Sequence, residues 1–185
     1  ATVTVQDVTA PVAIAQNINA YLNASGTVTI TGAQVNNGST DACGSLTYSV
    51  SPSTFICSNT GANTVTLTVT DGSSNSSTAS ATVTVIDTIV PTVVTQNITV
   101  QLNSSGSATI TASQINNGSS DACGIATVTV SPSSFTCSNI GANTVTLTVT
   151  DNKGNVKTGT ATVTVQDVTA PVAIAQNINA YLNAS

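Results

Sequence analysis

The sequence predicts an all-β chain of tandem β-sandwich modules, each 80 residues long and arranged linearly. Three observations carry this. Apolar and polar residues alternate almost throughout, as in Thr64-Val-Thr-Leu-Thr-Val-Thr70, the period of a strand with one buried face. β-branched Val, Thr and Ile dominate, and helix formers are too scarce to suggest a helix of any length. Residues 1–80 align with 81–160 without a gap, so Asp41-Ala-Cys-Gly44 falls on Asp121-Ala-Cys-Gly124 and Gly61–Asp71 falls on Gly141–Asp151.

The joint between modules is a strand that runs into an aspartate and stops at a proline. Val83-Thr-Val-Ile-Asp-Thr-Ile-Val-Pro91 shows it, and the device recurs at Val3–Pro11 and Val163–Pro171. The expected division is residues 1–7 as the last strand of a preceding repeat, 8–87 and 88–167 as two repeats, and 168–185 as the first strand of a following one. Residues 161–185 repeat 1–25 letter for letter, whereas 1–25 matches 81–105 at 13 of 25 positions. Alternate repeats are thus closer than neighbours, and the chain reads as a window on a longer polymer.

Within the first module, strand A is expected from Val12 through Leu22, followed by the turn Asn23-Ala-Ser-Gly26. Strand B is Thr27–Ile30, with Val28 and Ile30 inward. A long polar loop covers Gly32 to Gly44. Strand C is Ser45–Val50, ended by Ser51-Pro52, and a short segment around Phe55 leads to a turn at Asn59–Asn63. Strand F is Thr64–Thr70, with Val65, Leu67 and Val69 inward. The turn Asp71–Asn75 reverses the chain into strand G, where Ala81, Val83 and Val85 point inward. Short strands with turn signals at this spacing imply a sandwich of immunoglobulin-like type.

Composition excludes several classes of function. Only 5% of residues are charged, the net charge is −5, and Lys153 and Lys157 are the only cations. Soluble domains ordinarily carry roughly 25% charged residues. A phosphate backbone therefore has nothing to neutralise it, and nucleic acid is not an expected partner. No apolar run approaches the ~20 residues of a membrane span. There is no His and no Glu, so the usual general bases are missing. The rings available to hold a sugar are Phe55, Phe135 and three Tyr, and catalysis is not expected. Strands with so little charge need another protection from indiscriminate pairing, either a glycan coat or ordered lateral assembly.

Each module has two cysteines, Cys43 with Cys57 and Cys123 with Cys137. Without His, CxxC or a second pair per module, a zinc site has no support, and a disulfide within each module is the expectation. Closing a loop of ~15 residues contributes about 3 kcal/mol in the chain-entropy picture. The alternative is free buried thiols. A disulfide places the chain outside the reducing cytosol, extracellular or at a cell surface.

The module resembles a hyalin repeat, an immunoglobulin-like family of extracellular and adhesive proteins. The resemblance rests on Val-Xaa-Asp-Xaa-Xaa-Xaa-Pro at the joint (Val5–Pro11, Val85–Pro91) and on Gly61–Asp71 leading into the last strand. Gly154-Asn155 also fits, whereas Ser74-Asn75 departs from the pattern. The Thr-rich tandem form with Asp-Ala-Cys-Gly is similar to the stalks of large secreted bacterial surface proteins. The resemblance implies adhesion or a structural role.

The seven acidic residues are all Asp and occupy three positions of the repeat. In a sandwich of this type the incoming linker, the B–C loop and the F–G turn share one pole. Asp7, Asp41 and Asp71 are expected to cluster there, as are Asp87, Asp121 and Asp151 in the second module, with Asp167 beginning the next set. Calcium suits such a set, since it takes 6–8 oxygens from carboxylates, carbonyls and Asn side chains, and Asn75 and Asn155 are further candidates. The plain alternative is a turn residue, a loop cap and a strand end, and Lys153 stands in the second loop as a competitor. Candidate glycosylation positions are Asn23, Asn37, Asn75, Asn97, Asn103, Asn117 and Asn183, each in Asn-Xaa-Ser/Thr, and Thr88 in Asp87-Thr88-Ile89. Thr and Ser also simply suit solvated strand faces. The expected function is an extracellular fibre or adhesin stalk of repeats joined end to end, with covalent glycans, calcium at the joints and lateral association as an option. The alternatives are a multivalent carbohydrate or cell-surface binding module, and a pilus-like subunit polymerised by strand donation.

Overall fold

Strict alternation is longest in two neighbouring segments, and these form the longest strands of the first sandwich. In a computed structural model, which describes residues 1–181, they are β5 (Gly61–Thr70) and β6 (Ser76–Ile86), paired antiparallel along their length. β1 (Ile18–Tyr21) runs parallel to β6 and β3 (Thr47–Ser51) antiparallel to β5, giving a four-stranded sheet in the order β1-β6-β5-β3. β2 (Thr27–Thr29) and β4 (Thr54–Ile56) make the facing ribbon. The second sandwich repeats this with β7 (Ile98–Gln101), β8 (Ser107–Thr109), β9 (Ile125–Ser131), β10 (Ser134–Thr136), β11 (Gly141–Asp151) and β12 (Val156–Gln166). Its sheet order is β7-β12-β11-β9, facing the ribbon of β8 and β10.

The inward residues of β5 and β6 meet Leu22, Ile30, Val35 and Phe55 in one core, with Val65, Leu67 and Val69 fully buried. The second core assembles the equivalent Leu102, Ile110, Ile115, Phe135, Val145, Leu147 and Val149. Each such side chain contributes roughly 1.5–3 kcal/mol by leaving water. Both cores are closed within their own repeat, with one trespass: Cys123 of the second repeat packs against the first core.

The structure departs from the expected elements at two places. Strand A is not continuous. Val12 and Ala15 make isolated bridges to Thr40 and Asn36, and the chain then crosses to β6 as β1. Asn17 marks the crossing, its Oδ1 accepting the N–H of Thr82 at 2.7 Å. The expected polar loop from Gly32 begins with a single helical turn, α1 (Gly32–Val35), repeated as α2 (Ala112–Ile115). Thr31 N–H donates to Gln34 Oε1 at 2.8 Å, and Thr111 to Gln114 at 2.8 Å, which turns Val35 and Ile115 into the cores.

The cysteine pairing is corrected. The bridge joins Cys57 to Cys123 across the two repeats, and Cys43 and Cys137 are free and exposed. The intramodule pairs Cys43–Cys57 and Cys123–Cys137 do not form, for a geometric reason. Cys43 follows Asp41 at the pole that holds the β5–β6 turn, whereas Cys57 directly follows β4, beside Gly26 at the other pole. The ten residues of β5 span the distance between the poles, about 30 Å at the rise of an extended strand. A disulfide tolerates Cα atoms only ~4.4–6.8 Å apart. Here Cys57 and Cys123 Cα atoms are 5.2 Å apart.

Candidate functional site at the joints

The chemistry of this chain collects where one repeat meets the next. At the first pole, carboxylate oxygens of Asp7, Asp41 and Asp71 all lie within 4.8 Å of one another. Backbone donors aim them. Asp7 Oδ1 accepts from Thr9 N–H at 3.0 Å, and Asp41 Oδ1 from Cys43 N–H at 2.7 Å. Asp71 is the most heavily held, accepting from Ser73 and Asn75 N–H groups at 2.8 Å each and from the Asn75 amide at 2.8 Å. The same amide donates to the Asp7 carbonyl at 3.2 Å, tying the F–G turn to the linker. A cleft of ≈ 410 Å³ opens beside Asp7, lined also by Gln6, Val8, Ser73 and Asn75.

At the inner joint the set changes slightly. Asp87 and Asp121 come together with the sulfur of Cys123, and Asp151 is not in this set. Asn155 connects it to the linker: its amide donates to Asp151 Oδ2 at 2.7 Å and to the Asp87 carbonyl at 3.4 Å. Cys123 is in the disulfide, so its sulfur offers no thiolate to a metal. Lys153 is exposed and enters the cluster through its backbone N–H, which donates to Asp151 Oδ1 at 2.7 Å. Asn75 and Asn155, expected as oxygen donors, instead present their amide N–H groups to the carboxylates. They position the acids.

The Asn75 amide and surrounding backbone N–H groups hold the Asp71 carboxyl below its ordinary 3.8, against the opposing effect of burial. For Asp151 burial pushes upward most strongly, yet the Asn155 amide and three backbone donors together outweigh it and the carboxyl is again lowered. Both are ionised at neutral pH. Asp87 is 8% exposed, and its Oδ2 is buried without a hydrogen-bond partner, as is Asp7 Oδ2. A buried, unpartnered carboxylate oxygen beside other carboxylates is expensive unless a cation meets it. The donors are hard oxygens, and this fits calcium.

The disulfide seat adjoins these acids through Cys123. Gly26 has φ of 71°, a conformation that favours glycine, and a Cβ there would stand 2.5 Å from Cys57 Sγ and 3.3 Å from Ala122 Cβ. Asn152 completes the seat by donating its amide to the Cys123 carbonyl at 2.8 Å. The parts played by Gly26, Ala122 and Asn152 carry no sequence signal beyond a turn glycine and an ordinary loop.

The glycosylation candidates divide by surroundings. Thr88, Asn37 and Asn117 are exposed. Asn23 and Asn103 are exposed but their Oδ1 atoms organise turns, accepting from Ser25 and Thr27 and from Ser105 and Ser107. Asn97 accepts from Thr162 N–H at 2.8 Å, and Asn75 is committed to the acid cluster. Asn183 lies outside the described residues. Among those residues no helix is long and apolar enough to cross a membrane.

No family model matches the sequence, and no curated protein matches it. Among solved structures, the chain is similar to human mucin-like protocadherin EC1-2, at 14% identity over 85% of this chain and 98% of that one, with a TM-score of 0.42. It is also similar to fibronectin(III)-like modules of Clostridium thermocellum CbhA, at 14% identity over 90% and 97% of the two chains and a TM-score of 0.32. Titin domains I67–I69 match at 11% identity over 86% and 67%, with a TM-score of 0.30. The chain itself is all-β, two immunoglobulin-like β-sandwich domains in tandem.

Proposed function

We propose that this chain is a length of an extracellular structural fibre or adhesin stalk, in which each immunoglobulin-like repeat is clamped to the next. Repeats 8–87 and 88–167 are the units, as the period divides them. The observation that carries the reading is the Cys57–Cys123 bridge, which ties one sandwich to its neighbour instead of closing either. A bridge spanning 66 residues restricts the relative motion of two bodies that have separate cores. That is a mechanical role, and it needs an oxidising compartment. The hyalin-repeat motifs at the joint and before the last strand support the same assignment.

Calcium at the joint belongs to this reading. Asp87 and Asp121 would hold it at the inner joint, with the buried Asp87 Oδ2 as the oxygen that otherwise lacks a partner, and Asp7, Asp41 and Asp71 at the first pole. The bound ion would neutralise converging carboxylates from linker and loops. Covalent glycans at exposed Thr88, Asn37 or Asn117 would supply the surface protection that charge does not; an intact mass equal to the bare chain rejects them.

Small-angle scattering of the chain, oxidised and then reduced, tests the fibre reading. A stiff, extended pair in the oxidised form and broadened inter-domain distances after reduction are expected. Superimposable profiles, or a single undivided unfolding body, would overturn it. Repeating the oxidised measurement with calcium and with a chelator tests the ion: unchanged bending and melting temperature remove calcium from the account.

A further inference from the structure

The free cysteines are the two unmatched halves of the bond already made at the inner joint. Under the 80-residue period Cys137 stands where Cys57 stands, and Cys43 where Cys123 stands. The local geometry repeats too. Cys57 Sγ lies 3.6 Å from the Gly26 carbonyl, and Cys137 Sγ lies 3.7 Å from that of Gly106. What differs is the occupant. At Gly26 a Cβ would meet Cys57, Ala122 and Cys123; at Gly106 it would meet Cys137 alone. In place of the Ala-Cys pair there is a cleft of ≈ 370 Å³ lined by Gly106, Cys137, Asp167, Ala170 and Pro171. One repeat earlier those positions are Gly26, Cys57, Asp87, Val90 and Pro91, the joint that receives Ala122-Cys123.

We propose that this cleft receives the Asp41-Ala-Cys-Gly44 loop of a second copy of the chain, and that Cys137 of one copy bonds Cys43 of the next. The proposal rests on the end-to-end reading above and extends it from one chain to a covalent polymer. The two surfaces are different patches, so the contact is head to tail and propagates instead of closing a symmetric dimer.

The bond forms by thiol–disulfide exchange with a low-molecular-weight disulfide such as oxidised glutathione. The Cys137 thiolate attacks one sulfur, forming a mixed disulfide and expelling one small thiolate. The Cys43 thiolate of the second copy then attacks the Cys137 sulfur, and the second small thiolate leaves. Two protein thiols are oxidised, the small disulfide is reduced to two thiols, and these take up the two protons. Both cysteines are exposed, as the exchange requires.

The test uses the full chain as Cys43→Ser and as Cys137→Ser, each retaining Cys57 and Cys123. The variants are incubated singly and mixed with oxidised glutathione, then read by non-reducing electrophoresis and intact mass. Each alone should stay monomeric. The mixture should give a reducible species of twice the chain mass, at least tenfold above either single pool, with a proteolytic fragment joining Cys43 to Cys137. The unsubstituted chain should give a ladder. As a second variant, Gly106→Ala in the Cys137-bearing partner, crowding Cys137 Sγ at 2.8 Å, should lower the mixed dimer several-fold. Equal dimer in the single pools, or monomer only in the mixture, would overturn the proposal. The scattering test on Cys57–Cys123 is independent of that result, so the fibre reading and the polymer proposal fail separately.

Discussion

The inner joint and the two outer poles are built from the same residue types in the same order, yet they are in different states. At the inner joint the cysteine after β4 is bonded, and its aspartate, Asp87, is 8% exposed. At the far pole Cys137 is free and Asp167 is exposed; at the near pole Cys43 is free and Asp7 is half-buried. Burial of the linker aspartate and closure of the disulfide are thus properties of adjacency. A single repeat carries both halves of the device but places them at opposite ends, where they cannot meet.

The largest expected effect serves as the control for this contrast. Phe55→Ala and Phe135→Ala should each lose about 3–5 kcal/mol, because each ring fills a core of its own repeat. Denaturant unfolding should show similar losses for the two; a marked inequality would mean that the cores are not equivalent bodies. Next comes the bridge. Cys57→Ser should lower stability by about 4 kcal/mol in the chain-entropy picture, given the separation of 66 residues. Cys137→Ser should leave the monomer's melting temperature unchanged, and an equal loss from both would erase the distinction between inner joint and outer pole.

A smaller effect concerns the ion. With calcium at a hundredfold excess over its dissociation constant, one site stabilises by about 2.7 kcal/mol. Asp87→Asn should remove the inner joint's share of the calcium-dependent rise in melting temperature, and Asp167→Asn should remove none. Differential scanning calorimetry with calcium and with chelator reads this directly. The smallest effect is on pH. The Asp71 and Asp151 carboxyls are lowered in the folded state, so they favour folding above the ordinary value of 3.8, and that contribution is lost as pH falls through their folded values. Asn75→Ala and Asn155→Ala should lower stability at neutral pH and flatten the acid limb, so that each variant's profile converges on that of the unsubstituted chain as pH falls through the folded values.

Much of the fold was legible because alternation reports which strand face is buried. Val65, Leu67, Val69, Ala81, Val83 and Val85 all turn inward, as their period requires. α1 was not legible, since four residues contain no helical period; only Thr31 and Gln34, spaced as a capping pair, mark it. The meeting of Asp7, Asp41 and Asp71 followed from placing linker, loop and turn at one pole. Asp151 is outside the set that Asp87 and Asp121 form with Cys123, although Asn155 ties it to the Asp87 carbonyl just as Asn75 ties Asp71 to Asp7.

The sequence by itself determined the period, the strand faces, the fold class and the three carboxylates that gather at the first pole, because these depend on local alternation and repeat. Only the tertiary structure decided which cysteine meets which. Cys43 and Cys57 are near in the chain but separated by the length of β5, whereas Cys57 and Cys123 belong to different repeats and share one seat. Disulfide pairing depends on distance in space, and a strand carries neighbours in sequence to opposite ends of a sandwich.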